Sequence, residues 1–263
     1  MGVAVYRELS PPEALRGHLA CLWVQVTDDT SVRHDVVPDA CADIISIGGA
    51  APIVVGPATR TVIAELPPRT MIVGARFRPG SASAALGVAM DELVDRDVAL
   101  SDVWRSTNEL SDGVAAGTIA TRLAALEREL TGRLAGRAVD RFARVAVDWL
   151  AGNPAAHVSA LAGDLGIGER QLRRRIAAAS GYAPKLLHRI LRFQRLLVGM
   201  HRGRSSLAMM AAEAGYLDQP HMTREVHELA GTTPRNLLAR GVAPTAMSEF
   251  FKTVDRAAGI VGA

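Results

Sequence analysis

No stretch of this chain reaches the ~18 consecutive apolar residues that a membrane-spanning helix needs, although hydrophobic residues make up 49% of it. The opening MGVAVYRELSPPEALRG has no basic segment followed by an apolar run, so no secretory signal is expected. Tyr6 stands where a myristoylation start wants Ser or Thr. A cytoplasmic, bacterial-type setting is the expectation. The chain has only two cysteines, Cys21 and Cys41, too few for a disulfide scaffold, and both are expected to be reduced. H-x-H, H-x-x-x-H and C-x-x-C spacings are all missing, so the usual metal frames are too, and no cofactor or metal is expected. A strong net charge is also lacking: the balance is +3.

That small balance hides a division. Residues 139–240 hold fifteen Lys and Arg against eight Asp and Glu, a net of +7, whereas residues 1–138 carry −4. Only the C-terminal half is therefore suited to meet a polyanion. A length of 263 residues accommodates two ordinary domains.

Residues 1–106 read as a β-rich unit. HLACLWVQV (18–26) alternates Leu22, Val24 and Val26 on one face. Short β-prone pieces follow at 32–38, 43–49, 52–57, 60–66 and 71–77, punctuated by Gly and Pro, as in a small antiparallel sandwich or barrel. Residues 81–88 and 90–104 read as helical or turn-like. His18, His34, Asp35, Asp39, Cys41 and Asp43 lie close in sequence, but their spacing suits a turn better than a metal site. Arg76 and Arg78 suit an anion clamp or a strand end paired with carboxylates, the second being preferred. Trp23 and Trp104 serve as core residues or cavity walls. Trp23, His34, Arg76 and Arg78 are the candidates for contact with a ligand.

Residues 107–136 read as a helical connector. Ile119, Leu123, Leu126 and Leu130 form a narrow stripe that fits packing on its own domain and pairing with a second subunit about equally. A domain boundary is expected near 132–138, followed by a helix over 137–152 with Val139, Phe142, Val145, Ala146 and Trp149 inward.

Residues 158–240 contain one plan twice. VSALAGDLGIGERQLRRRIAAASGYAPK and SLAMMAAEAGYLDQPHMTREVHELAGTTP are each a short Ala-rich helix, a turn, and a second helix bearing polar groups. That is the form of a helix-turn-helix, whose second helix enters the major groove. Ser159 and Ser206 are placed to cap the scaffold helices. In the first unit the second helix starts at Glu169 and turns Leu172, Ile176 and Ala179 inward. Arg170, Gln171 and Arg174 are then placed to read bases, since Arg and Gln present two hydrogen bonds to guanine and adenine. Arg173 and Arg175 suit phosphates or core-flanking pairs. Lys185 and Arg189 on the connecting helix, with Ser159, Glu169 and Ser206 near the helix starts, are further expected DNA contacts. In the second unit Met222, Val226 and Leu229 point inward, leaving Gln219, Pro220, His221, Thr223, Arg224 and His227 outward. Residues 242–263 read as a C-terminal tail.

The run A-A-E-A-G-Y-x-D-Q-P-H-M-T-R-E-x…L-A-G-T-T-P resembles the signature of the AraC/XylS family of bacterial transcription regulators. L-A-G-D-L-G-I-G-E-R-Q-L-R-R-R…G-Y-A-P-K is similar to that family's first helix-turn-helix. Val226 departs from it, standing where the family usually has Phe. V-V-P-D-A-C-A-D-I-I and G-A-R-F-R-P-G resemble an uncharacterised β-rich domain found ahead of such DNA-binding domains. In the wider family a cupin-like sensor or dimerisation domain holds that place. The resemblance implies an α+β chain: a β-rich sandwich- or barrel-like regulatory domain (1–106) with attached helices, a connector (107–136) that could dimerise, and an all-α double helix-turn-helix domain (137–241). It implies a non-enzymatic transcription regulator. Double-stranded DNA is its expected partner, and a small-molecule effector, a second copy and RNA polymerase are further candidates. A metal-dependent cupin-like enzyme fused to a DNA binder, and a DNA binder whose N-terminal domain only dimerises, are the alternatives.

Overall fold

The computed structural model describes residues 4–153, 158–202 and 206–240, with Met247, Phe250, Phe251, Thr253 and Val254 of the tail. The chain opens with β1 (Ala4–Leu9), a 3-10 turn at Glu13–Leu15 and β2 (Leu19–Thr27). Next come β3 (Val32–Val36), β4 (Asp43–Ile47), β5 (Ile53–Val55), β6 (Val62–Leu66) and β7 (Met71–Phe77). With β8 (Asp97–Ala99) they form a six-stranded sheet, β1-β2-β7-β4-β5-β8, and a two-stranded sheet, β3-β6. Every pairing is antiparallel. The β-rich reading of the N-terminal part is correct. β8 falls where a helix or turn was expected, because three residues are too few to show alternation.

Successive side chains of a strand point to opposite faces. Leu22, Val24, Ile44, Val54, Val73, Ala75 and Phe77 face a layer of helices. Cys21, Trp23 and Ile72 face the small sheet and meet Val32, Ala64 and Leu66. β2 is covered on both sides, so its sequence reads as a nearly unbroken apolar run. Trp23 is registered opposite Gly74. A Cβ there would lie 2.4 Å from the indole, so Gly74 is what lets the ring lie across β7.

The helical layer consists of α1 (Ala82–Leu86), α2 (Leu100–Val103), α3 (Asn108–Ala115) and α4 (Ile119–Leu134). Thr118 caps α4 by accepting from the Thr121 amide. Of the expected stripe, Leu123, Leu126 and Leu130, continued by Leu134, pack into this core, while Ile119 at its start is exposed.

The second half holds α5 (Arg141–Gly152), α6 (Val158–Asp164), α7 (Glu169–Ser180), α8 (Pro184–Arg202), α9 (Leu207–Glu213), α10 (Gln219–Ala230) and α11 (Pro234–Arg240). Asp140 starts α5 by accepting from the Phe142 and Ala143 amides. The stripe buried on α5 is Ala143, Ala146, Val147, Leu150 and Ala151, while Val145 is exposed. The expected stripe was rotated because it followed the larger side chains, whereas a closely packed helix buries its alanines. Helix α8 is buried around most of its girth, including a fully buried Gln194. Met247, Phe250, Phe251 and Val254 of the tail join the same core. Val37, Ala40 and Cys41 also belong to it, so the β3–β4 loop inserts into the helical half. No helix among the described residues is long and apolar enough to cross a membrane.

Candidate nucleic-acid interface

Two helix-turn-helix units, α6–α7 and α9–α10, are joined by α8. In the first, Leu172, Ile176 and Ala179 are buried. The opposite side of α7 presents Arg170, Gln171, Arg173 and Arg174 to solvent. Residues 170, 171 and 174 share a face at spacings of three and four. Glu169 accepts from Arg173 Nε at 2.8 Å, which ties Arg173 down and offsets its charge. Arg175 turns away from this face, pairs with Asp140 and lies 4.9 Å over the Phe142 ring. Among the described residues, the first unit thus offers two arginines without an ion pair and a glutamine at the front of its second helix.

The second unit has a milder front. Asp218 caps α10 by accepting from the His221 amide at 2.6 Å, with Pro220 in the first turn where its missing N–H costs nothing. Gln219, Pro220, Arg224 and His227 are exposed. His221 faces inward, with Nε2 3.4 Å from Glu225 and its ring edge-on to Tyr216. The Thr223 hydroxyl donates to Gln219 O. His221 and Thr223 are therefore only half available to a partner.

Other expected contacts have structural duties. The Ser206 hydroxyl caps α9 by accepting from the Met209 amide. Ser159 is exposed inside α6 and not at its cap, and the residues just before α6 lie outside the described ones. Lys185 is exposed at the start of α8. Arg189 is bound to Glu225 at 3.2 Å and to Glu228, which ties α8 to α10. Arg192 donates to both Glu225 oxygens at 2.6 and 2.7 Å and stacks on Tyr216. Glu225 is thus a buried hub that sequence reasoning missed. Its signal was present: it lies three residues after Met222, on the edge of the buried stripe.

The N-terminal candidates do not form one surface. His34 is exposed on β3. Arg78 Nε donates to the carbonyls of Arg16 and Leu19 and closes the chain there. Trp23 Nε1 donates to Asp43 at 2.8 Å. Arg76 is buried between Asp43, bonded at 3.1 Å, and Asp39, whose carboxylate is 3.6 Å from Nη1. Nη1 itself has no hydrogen-bond partner among the described residues. Burial opposes the Arg76 charge, but Asp43 and Asp39 hold it firmly protonated. Burial pushes the Asp43 carboxyl upward against the pull of Arg76. Cys41 points into the helical core, and Asp35 pairs with Arg240. Among the described residues no group of three His, Cys, Asp or Glu converges as metal ligands would.

The two halves are in contact. Gln194 Nε2 donates to Pro38 O at 2.7 Å. Tyr182 OH donates to Ala58 O at 2.7 Å, and the Thr61 amide donates to Leu229 O at 2.8 Å. A cleft of about 420 Å³ separates Ser83 and Gly87–Ala89 from Arg174, Arg175, Ala178 and Ala179.

A β-rich half followed by a helical half with two linked helix-turn-helix units defines a DNA-binding regulator. Comparison with known families agrees: residues 161–240 match the helix-turn-helix domain of the AraC type, and residues 7–99 match a domain of unknown function, DUF6597. The chain accordingly carries a helix-turn-helix DNA-binding domain of the AraC type behind a DUF6597 domain, the organisation of a DNA-binding transcription regulator. Similar solved structures include ToxT from Vibrio cholerae O395, at 9% identity and a TM-score of 0.45, covering 90% of this chain and 96% of that one. Unsaturated fatty acid bound wild-type ToxT from Vibrio cholerae strain SCE256 is another, at 11% identity and a TM-score of 0.43, covering 92% and 97%. No curated protein matches the chain.

Proposed function

We propose that this regulator is controlled from its N-terminal half by a small polar effector, in the cytoplasm, and that Arg170, Gln171 and Arg174 do most of the base reading. The observation that carries the effector reading is the segment Val37–Asp43. Asp39 and Asp43 hold the buried Arg76 between the sheets. Val37, Ala40 and Cys41 of the same segment are embedded in the DNA-binding core, and Pro38 accepts from Gln194 in the helix between the heads. Ala40 holds a left-handed φ of 63°, a conformation that costs a non-glycine residue ~1–2 kcal/mol. A change at Arg76 is therefore passed to α8 through Asp39, next to Pro38, and Asp43, five residues from it. A ligand group that accepts from Nη1 would compete with Asp39, which holds that nitrogen without a hydrogen bond.

The arrangement favours regulation over catalysis, since the polar groups between the sheets are engaged with each other. A second copy, if recruited, must use a surface other than the buried α4 stripe. RNA polymerase is the partner that a promoter-bound activator would meet. The test is a thermal-shift screen of the full chain against small carboxylates and other polar metabolites, with DNA affinity measured for each hit. A compound that raises the melting temperature and changes DNA affinity, with both effects lost in Asp39→Asn or Arg76→Gln, supports the reading. Failure of every compound to move either quantity, with sedimentation showing a dimer held by the N-terminal half, would favour a purely dimerising role.

A further inference from the structure

The loop between β5 and β6, residues 56–61, touches the rear of both reading heads. Ala58 O accepts from Tyr182 OH at 2.7 Å. Tyr182 follows Gly181, the left-handed C-cap of α7. The fit at Gly181 is close: a Cβ there would lie 2.8 Å from Pro57 and 3.1 Å from Met90 O. Three residues further along the loop, the Thr61 amide and hydroxyl both donate to Leu229 O, at 2.8 and 3.2 Å. Leu229 lies in the last turn of α10. Its carbonyl is among the last four of that helix, which have no partner within the helix. The loop therefore supplies a missing donor to one reading helix and an acceptor beside the end of the other.

The loop is itself fixed. The Gly56 amide donates to Arg96 O at 2.9 Å, and Pro57 O accepts from the Asp95 amide at 3.0 Å. The Thr59 amide and hydroxyl donate to the two Asp95 carboxylate oxygens, at 2.7 and 2.6 Å. A Cβ at Gly56 would lie 1.8 Å from Leu93 O, so the backbone passes where only glycine fits. Tyr182 and Leu229 are almost fully buried, and burial pushes the Tyr182 phenol far up, which keeps its hydroxyl a donor. At the opposite ends of the same helices, Arg170, Gln171, Gln219 and Pro220 remain exposed. The loop thus holds the heads from behind and leaves the fronts of both helices open.

From this geometry we infer that residues 56–61 form a brace that fixes the separation and relative rotation of the two reading heads, with Ala58, Thr61 and Tyr182 as positioning residues for operator spacing. The inference rests on the DNA-reading role of α7 and α10. Moving one subsite by a single base pair shifts it about 3.4 Å along the duplex and turns it by ~35°. Heads locked to a rigid loop cannot follow that change, whereas heads joined by α8 alone can follow it in part.

The experiment uses the full chain and the duplex that it selects from a random pool. Affinity is measured for that duplex and for versions with one base pair added or removed between the two subsites. The unaltered chain should lose about tenfold or more in affinity at either altered spacing. Thr61→Val with Tyr182→Phe removes two hydroxyls at almost constant volume, and unchanged circular dichroism and a cooperative melt establish that it folds. It should bind the native spacing within about threefold of the unaltered chain and show a clearly flattened spacing profile. Each single variant should lie between, so the result does not depend on the double variant alone. A folded double variant that keeps the full spacing penalty would overturn the brace. So would equal loss of affinity at all three spacings, which would make the contacts a matter of general stability. Absence of any selected duplex for the unaltered chain would overturn the DNA-reading role itself, and the brace with it.

Discussion

Trp23 sets the local rules between the two sheets. Its indole crosses Gly74 and donates to Asp43, the same carboxylate that binds Arg76. Gly74→Ala would drive a methyl into the ring, and overpacking of that kind costs ~1–3 kcal/mol. Urea unfolding of the variant should show a lower midpoint with an unchanged slope. The thiols nearby make a second residue-scale prediction. Burial pushes both Cys21 and Cys41 well above the ordinary thiol range. Only the thiolate reacts. Iodoacetamide at pH 8 should therefore leave both unlabelled in the folded chain and modify both in urea, as read by mass spectrometry. Fast labelling of either without denaturant would contradict the packing of that cysteine. Sequence could show that these residues were apolar or turn-forming. It could not show that Asp39 and Asp43 meet Arg76, because Arg76 lies on a strand 33 residues beyond Asp43.

At the scale of the element, the amphipathic helices were the most legible part. Leu172, Ile176 and Ala179 of α7, and Met222, Val226 and Leu229 of α10, are buried as their spacing indicated. The outward face of α7 follows from that spacing alone, so Arg174→Ala should weaken binding to the selected duplex by ~1–3 kcal/mol and relax choice at one base position. Lys185→Ala should weaken binding to all sequences alike and reduce the salt slope by about one. Equal loss of specificity from the two would reverse these roles. The caps were partly legible: Ser206 and Asp218 hold their helices, and Asp218→Ala should lower stability by ~1 kcal/mol in a thermal melt. Arg189 was less legible. A basic residue on an exposed-looking face of α8 reads as a phosphate contact until its partner is known. Its ion pairs with Glu225 and Glu228, more than thirty residues away, could not be read from that face alone. The second head is milder than its exposed composition suggests, since His221 and Thr223 are also partly committed within the fold.

At the scale of the molecule, the division of charge and the doubled helix-turn-helix plan both emerged from sequence, as did a β-rich N-terminal half. The joining of the halves did not. Val37, Ala40 and Cys41 look like loop residues of a β-domain, yet they lie in the core of the helical half. Nor did the tail look structural, although Phe250 and Phe251 are buried and Arg195 lies 4.8 Å over the Phe251 ring. Replacing a buried Phe by Ala costs ~3–5 kcal/mol. Phe251→Ala should accordingly bring a marked fall in the melting temperature of the full chain, whereas a dispensable tail would leave it unmoved.

The contacts between the halves also have a history in time. Ala58 and Thr61 meet partners 124 and 168 residues later in the chain, and Pro38 meets one 156 residues later. Synthesis at roughly 5–20 residues per second leaves these N-terminal surfaces uncovered for about six to thirty-four seconds. During that interval the nascent β-rich half exposes Val37, Ala40 and Cys41, apolar side chains made for helices that the ribosome has yet to deliver. Production of this chain should therefore be limited by aggregation of its first half, and coexpression with a chaperone that shields apolar surface should raise the soluble yield more than any change to the DNA-reading face.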